Sequence, residues 1–144
     1  MSVEKNKALI REFVEEVINK KRFDLLKEYC TDDFTIHIGT KGEIKGLEEF
    51  RIVNTETSGG TAFPDFKVSI EDIVAEDNKI VFRYTISATH LGEFMGAPPT
   101  GEKISWRAIV EYIIVDNKLS EGWICEDTMS IFAQIGIKEL PGKS

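Results

Sequence analysis

Proton transfer is the chemistry this sequence is best equipped for, and Asp127 and His90 are the residues that could carry it. Alternation along a strand over 118–129 sets Leu119, Trp123, Cys125 and Met129 on one face, with Asp127 among them. Over 79–91 it sets Ile80, Phe82, Tyr84, Ile86 and Ala88 on one face, and His90 continues that face at its end. Two ionisable groups thus fall on the apolar side of a sheet. A carboxylate there must be hydrogen-bonded or take a raised pKa. A raised carboxylate pKa suits proton transfer near neutral pH, and a neutral imidazole can polarise or deprotonate a ligand.

Each candidate has a structural reading beside the chemical one. Asp127, at the end of an apolar face, could equally cap a turn or helix. His90 lies next to a loop and could be a satisfied structural histidine. His37 falls opposite Phe34, Ile36 and Ile38, so its direction is open. Tyr84, Trp106 and Trp123 could be plain core or could line a ligand pocket, while Cys125 reads as small core filler. The sequence holds no Gly-rich phosphate loop, no paired-cysteine zinc pattern and no Gly-x-Ser-x-Gly elbow. Two histidines and scattered carboxylates are thin material for a metal site. A reaction without metal or cofactor, or simple binding of a small organic molecule, is what remains.

The elements that must position these groups are helices first and strands after. Ile10, Phe13, Val14, Val17 and Ile18 recur at the three-and-four spacing of one apolar helical stripe. A second short helix is expected over Arg22–Tyr29, and the Thr31-Asp32-Asp33 cluster breaks the pattern. Phe34–Ile38 alternates like a strand, and Leu47–Thr55 reads as a helix that Ser58-Gly59-Gly60 ends. Four long strands follow over 66–75, 79–91, 102–115 and 118–129, with tight turns at Asp77-Asn78 and Asp116-Asn117. In the third of them Ile104, Trp106, Ala108, Val110, Tyr112 and Ile114 share a face. This order gives the α+β class: helices packed on an antiparallel meander, one domain over residues 1–144.

Composition narrows the partners. A formal net charge of −7 with no Lys/Arg cluster argues against nucleic acid and anionic membranes. No apolar run approaches the ~20 residues that cross a bilayer. Residues 1–10, with Glu4, Lys5 and Lys7, lack the apolar region of a signal peptide, and only two cysteines occur, so free thiols in the cytoplasm are expected.

The run Thr89-His90-Leu91-Gly92-Glu93-Phe94-Met95-Gly96-Ala97-Pro98-Pro99-Thr100-Gly101 resembles the SnoaL-like polyketide cyclase and ester cyclase family of the nuclear transport factor 2-like superfamily. Phe63-Pro64-Asp65, Asp116-Asn117-Lys118-Leu119, and Trp123-x-x-x-Asp127 followed by Gln134-Ile135-Gly136 resemble further signatures of that family, so the likeness spans nearly the whole chain.

The resemblance implies a conical fold with a strongly bent antiparallel sheet, a homodimer formed through that sheet, and ring closure by intramolecular aldol chemistry without metal or cofactor. It places the family's acid–base aspartate at Asp127, and it puts His90 and Phe94 in the shared block and His37 where relatives often carry a pocket histidine. The pocket is then expected between Phe82, Tyr84, Trp106, Trp123, Phe94 and His37, with Asp127 and His90 as the reactive pair. Arg107, Ile109, Glu111, Ile113 and Val115, on the other face of their strand, mix apolar and charged residues as a subunit contact does.

Overall fold

The computed structural model describes residues 2–139. Helix α1 (Val3–Phe13) starts at Ser2, whose hydroxyl accepts from the Lys5 N–H at 3.1 Å, and buries Ile10 and Phe13. The chain then widens into a π-helical turn over Val14–Asn19. Such turns interrupt a helix where its direction must change, and this one leaves Val14 and Ile18 beside the internal hollow described below. Asn19 closes the turn by a paired contact with the Val68 backbone, donating to its carbonyl at 2.9 Å and accepting from its N–H at 2.7 Å. The expected second helix is a 3-10 turn, Phe23–Leu25, and α2, Leu26–Tyr29.

Six strands make one curved, unclosed sheet in the order β2-β1-β6-β5-β4-β3. They are β1 (Cys30–Ile38), β2 (Gly42–Lys45), β3 (Lys67–Glu76), β4 (Lys79–Thr89), β5 (Lys103–Val115) and β6 (Lys118–Glu126). Helices α3 (Leu47–Thr55) and α4 (Ser58–Ala62) fall between β2 and β3, and α5 (Thr128–Ile135) follows β6. Both expected hairpins are present, with Asp77, Asp116 and Asn117 at positive φ, which short polar side chains tolerate. The buried faces of β4 and β5 hold the residues that alternation assigned to them, Ile80 to Ala88 and Ile104 to Ile114.

The structure departs from the expected elements at five places, the first being that Ser58-Gly59-Gly60, expected to end a helix, opens the short helix α4. β1 begins at Cys30 and runs through Thr31-Asp32-Asp33, because a register shift against β6 lets the two aspartates stay exposed within the strand. β2 is an additional short strand. β1 pairs with β6 in parallel, so the sheet is not wholly antiparallel. β6 stops at Glu126, and its expected last residues become the first turn of α5.

Two irregularities matter for the site. Against β4, β3 shifts register between Ile70 and Asp72, so Glu71 is extra. Against β5, β6 pairs Leu119 with Ile114 but Glu121 with Ile113, so Ser120 is extra. A bulge of one residue bends the strand and reverses the facing of every side chain beyond it.

Candidate active site

Between the helices and the concave face of the sheet lies a hollow of about 350 Å3. That is the lower end of the ~300–1,000 Å3 usual for small-molecule sites. Its wall brings together Phe82 and Tyr84 of β4, Trp106 and Tyr112 of β5, and Phe94 of the loop that joins them. Helical residues Phe13, Val14, Phe50 and Ile131 and strand residues Ile36, Ile44 and Ile124 add apolar surface, and Asn54 and Thr128 add polar side chains. The rings meet at angles rather than stacking flat: Phe63 lies 5.1 Å from both Trp106 and Phe94, and Phe82 lies 5.2 Å from Tyr84.

The carboxylate on this wall is Glu126. Trp106 donates from Nε1 to Glu126 Oε2 at 2.6 Å. Taken as a whole residue, Glu126 is exposed, at the open side of the hollow. Its carboxyl is nonetheless crowded enough that loss of water pushes its pKa up, against the smaller opposing effect of the Trp106 bond. Burial likewise pushes up the pKa values of Tyr84 and Tyr112.

Asp127, one residue on, does something else. It is exposed and caps α5, Oδ1 accepting from the Ser130 N–H at 3.1 Å. The expectation that Trp123, Cys125 and Asp127 face inward is therefore corrected. The extra residue Ser120 moves Gly122, Ile124 and Glu126 to the inner face and turns Trp123 and Cys125 outward. Trp123, expected in the core, is 41% exposed. His37 also stands on the outer face, its ring stacked on Trp123 at 5.2 Å and its Nε2 2.7 Å from Glu121 Oε2. Neither residue is among the described residues lining the hollow.

His90 is fully buried, also apart from the described lining. Its Nδ1 accepts from the Thr100 N–H at 3.2 Å, which leaves the proton on Nε2, and Nε2 has no partner among the described residues. His90 thus ties the two ends of the 92–101 connection together, rather than standing beside Glu126. The other recognised motifs also have local work. Asp65 accepts from the Thr89 N–H at 2.7 Å and from its hydroxyl at 2.6 Å, and Gln134 pins α5 to β5 through the Ser105 backbone at 2.7 and 3.1 Å.

Glu126 is the functional candidate that strand alternation missed. Gly122 was the available signal. It has the same parity as Glu126, and only a residue without a side chain fits there: a Cβ would lie 2.6 Å from Cδ1 and Cε1 of Tyr112. Among the described residues no group of three or more His, Cys, Asp or Glu is placed to hold a metal ion. No helix among them is long and apolar enough to cross a membrane.

A family profile described as SnoaL-like polyketide cyclase matches residues 8–135. The chain belongs to the SnoaL-like polyketide cyclase family. Solved structures agree with that membership. AclR of Streptomyces galilaeus, provisionally named a hydroxylase, is 28% identical over 98% of this chain and 87% of its own, with a TM-score of 0.81. IdmH of Streptomyces antibioticus, provisionally named a polyketide cyclase, is 26% identical over 91% and 98%, with a TM-score of 0.77. A SnoaL-like protein of Jannaschia sp. CCS1 shares the fold at a TM-score of 0.83 and 18% identity, over 96% and 95%. No curated protein matches the chain. In this member of the family the position that the resemblance assigns to the acid–base aspartate falls on the cap of α5, and the carboxylate on the wall of the hollow is its neighbour.

Proposed function

We propose that the protein catalyses cofactor-free acid–base chemistry on a small carbonyl compound held in the hollow, by a cyclase- or isomerase-like proton transfer. Glu126 takes a proton from a carbon next to the carbonyl and returns it elsewhere on the same molecule. Trp106 fixes the angle of its carboxylate, and the Tyr84 hydroxyl steadies the developing enolate. One observation carries this reading: a single carboxylate with a raised pKa, hydrogen-bonded by one indole N–H, on a mostly apolar wall. Ketosteroid isomerase, where apolar surroundings tune a carboxyl for work on an enolate, offers an analogy of chemistry. The test is exchange of α-protons of aryl ketones and 1,3-diketones in deuterated water, followed by NMR. Exchange that survives Glu126→Gln removes Glu126 from the mechanism.

A second reading is a non-catalytic carrier of a hydrophobic molecule. The observation favouring it is that Asp127, the position the family likeness singles out, is tied up as a helix cap. Tight binding of a ketone with no exchange in the wild-type protein decides for the carrier. We also propose a homodimer through the outer face of the sheet, where Val74, Ile109, Val115 and Trp123 stand exposed.

A further inference from the structure

The hollow contains two polar groups that no part of the fold uses. Tyr84 and Tyr112 are 7% and 5% exposed and line the hollow, yet neither hydroxyl has a hydrogen-bond partner among the described residues. Neither oxygen is one of the fully buried polar atoms left without a partner among the described residues, which are Asn6 Oδ1 and His90 Nε2, so each hydroxyl reaches the open space of the hollow and stands free to donate to an acceptor that a ligand brings. Their placement is built in. The Tyr112 ring lies against bare backbone at Gly122, and Phe82 stands near both rings, 5.2 Å from Tyr84 and 6.1 Å from Tyr112. Burial keeps both phenols protonated at neutral pH. They are therefore neutral donors.

Charge adds a second selection. No Lys, Arg or His occurs among the described residues lining the hollow, and Glu126 is there. The chain as a whole carries −7. An anionic ligand would lose its water and meet nothing that compensates it. We propose that the pocket selects an uncharged carbonyl compound whose oxygen is held by the hydroxyls of Tyr84 and Tyr112, and that it excludes carboxylates and phosphate esters of the same carbon frame. This rests on the reading of the hollow as the substrate pocket.

The test displaces the neutral dye N-phenyl-1-naphthylamine from the full chain with three molecules of one frame: 2-acetylnaphthalene, 2-ethylnaphthalene and 2-naphthoate. The ketone should bind about tenfold tighter than the hydrocarbon, as a gain of roughly 1.4 kcal/mol gives. The carboxylate should bind more weakly than the ketone by at least about the same factor. Tyr84→Phe and Tyr112→Phe should each erode the advantage of the ketone, leave the hydrocarbon unchanged and leave the melting temperature unchanged, since neither hydroxyl has a protein partner to lose. The proposal is overturned if the hydrocarbon competes as well as the ketone, if naphthoate binds as tightly, or if both variants keep the wild-type preference. A dye that none of the three displaces overturns it as well. Selection of the ketone without α-proton exchange sinks the catalytic reading and leaves this one standing.

Discussion

Trp106 and Glu126 meet across the β5–β6 pair, the indole N–H donating to Oε2 at 2.6 Å. Bonds to an ionised acceptor are shorter and stronger than neutral ones. Among the described residues this is the single hydrogen bond to the Glu126 side chain, so it sets the direction of the carboxylate and leaves Oε1 without a protein partner.

The adjacent pair Glu126 and Asp127 can be separated by three variants. Glu126→Gln keeps the shape and the Trp106 contact but cannot carry a proton, so turnover should fall by about two to four decades with the fold intact. Asp127→Asn should leave both turnover and melting nearly unchanged, because Asn caps a helix about as well as Asp. Asp127→Ala should cost about 1 kcal/mol and lower the melting temperature by roughly 2–4 °C. Kinetics and calorimetry on the three decide it; a collapse of turnover in Asp127→Asn with normal melting returns the acid–base role to Asp127.

The raised pKa of Glu126 also gives a pH dependence of stability. Below the ordinary carboxylate range the side chain is protonated in both folded and unfolded chains. As pH rises, the unfolded chain releases that proton first, so folding loses stability until the pH passes the raised folded-state value, and the loss then levels off. Urea unfolding across that range should show Glu126→Gln gaining on the wild type as pH rises. A gap between the two that shrinks with rising pH would mean that the carboxyl is held ionised instead.

What alternation could read, and what it could not, both follow from these strands. β4 and β5 pair without interruption from Lys79 to Thr89, so Phe82, Tyr84 and Trp106 fall where a period of two places them. β6 carries Ser120 as an insertion, and a period of two cannot see it. Every side chain from Glu121 onward is thereby misassigned, which exchanges Glu126 for Asp127 on the inner face. His37 took its expected place from family likeness rather than from alternation, and its pairing with Trp123 puts both residues on the outside. The loop after β4 was legible as a loop, but the bond from Thr100 to His90 depends on how its two ends meet in space.

Gly122→Ala tests how Tyr112 is seated. The new methyl carbon would lie 2.6 Å from two ring atoms, so the ring must move toward the hollow. Overpacking of this kind costs typically about 1–3 kcal/mol. Melting should drop, and the dye that reports on the hollow should bind more weakly. Unchanged melting and unchanged dye affinity would show that Tyr112 does not rest on this strand.

His90→Ala removes the acceptor of the Thr100 N–H and empties a fully buried site. A lost bond of roughly 1–3 kcal/mol and the cavity left behind should both register in chemical denaturation. Limited proteolysis should then cut within 92–101 faster than in the wild type. Normal stability and normal proteolysis, with turnover lost, would make His90 catalytic instead of a tie between the ends of the loop.

The outer face of the sheet gives the last prediction. Val74, Ile109, Val115 and Trp123 are between 41% and 59% exposed, and they lie among Arg83, Arg107, Glu111 and Glu121. Apolar residues spread through charges of both signs match the composition of a semi-polar subunit contact. They also let one patch meet its own copy about a two-fold axis, with arginines of one subunit facing glutamates of the other. Light scattering at micromolar concentration should give twice the 16.3 kDa of the chain. Ile109→Arg places a further cation at a half-exposed position of β5, where a facing copy would have to desolvate it. It should shift the mass toward that of one chain without lowering dye affinity, because residue 109 points away from the hollow. A wild-type mass of 16.3 kDa at that concentration refutes the dimer. A dimer that Ile109→Arg leaves intact places the contact on some other face.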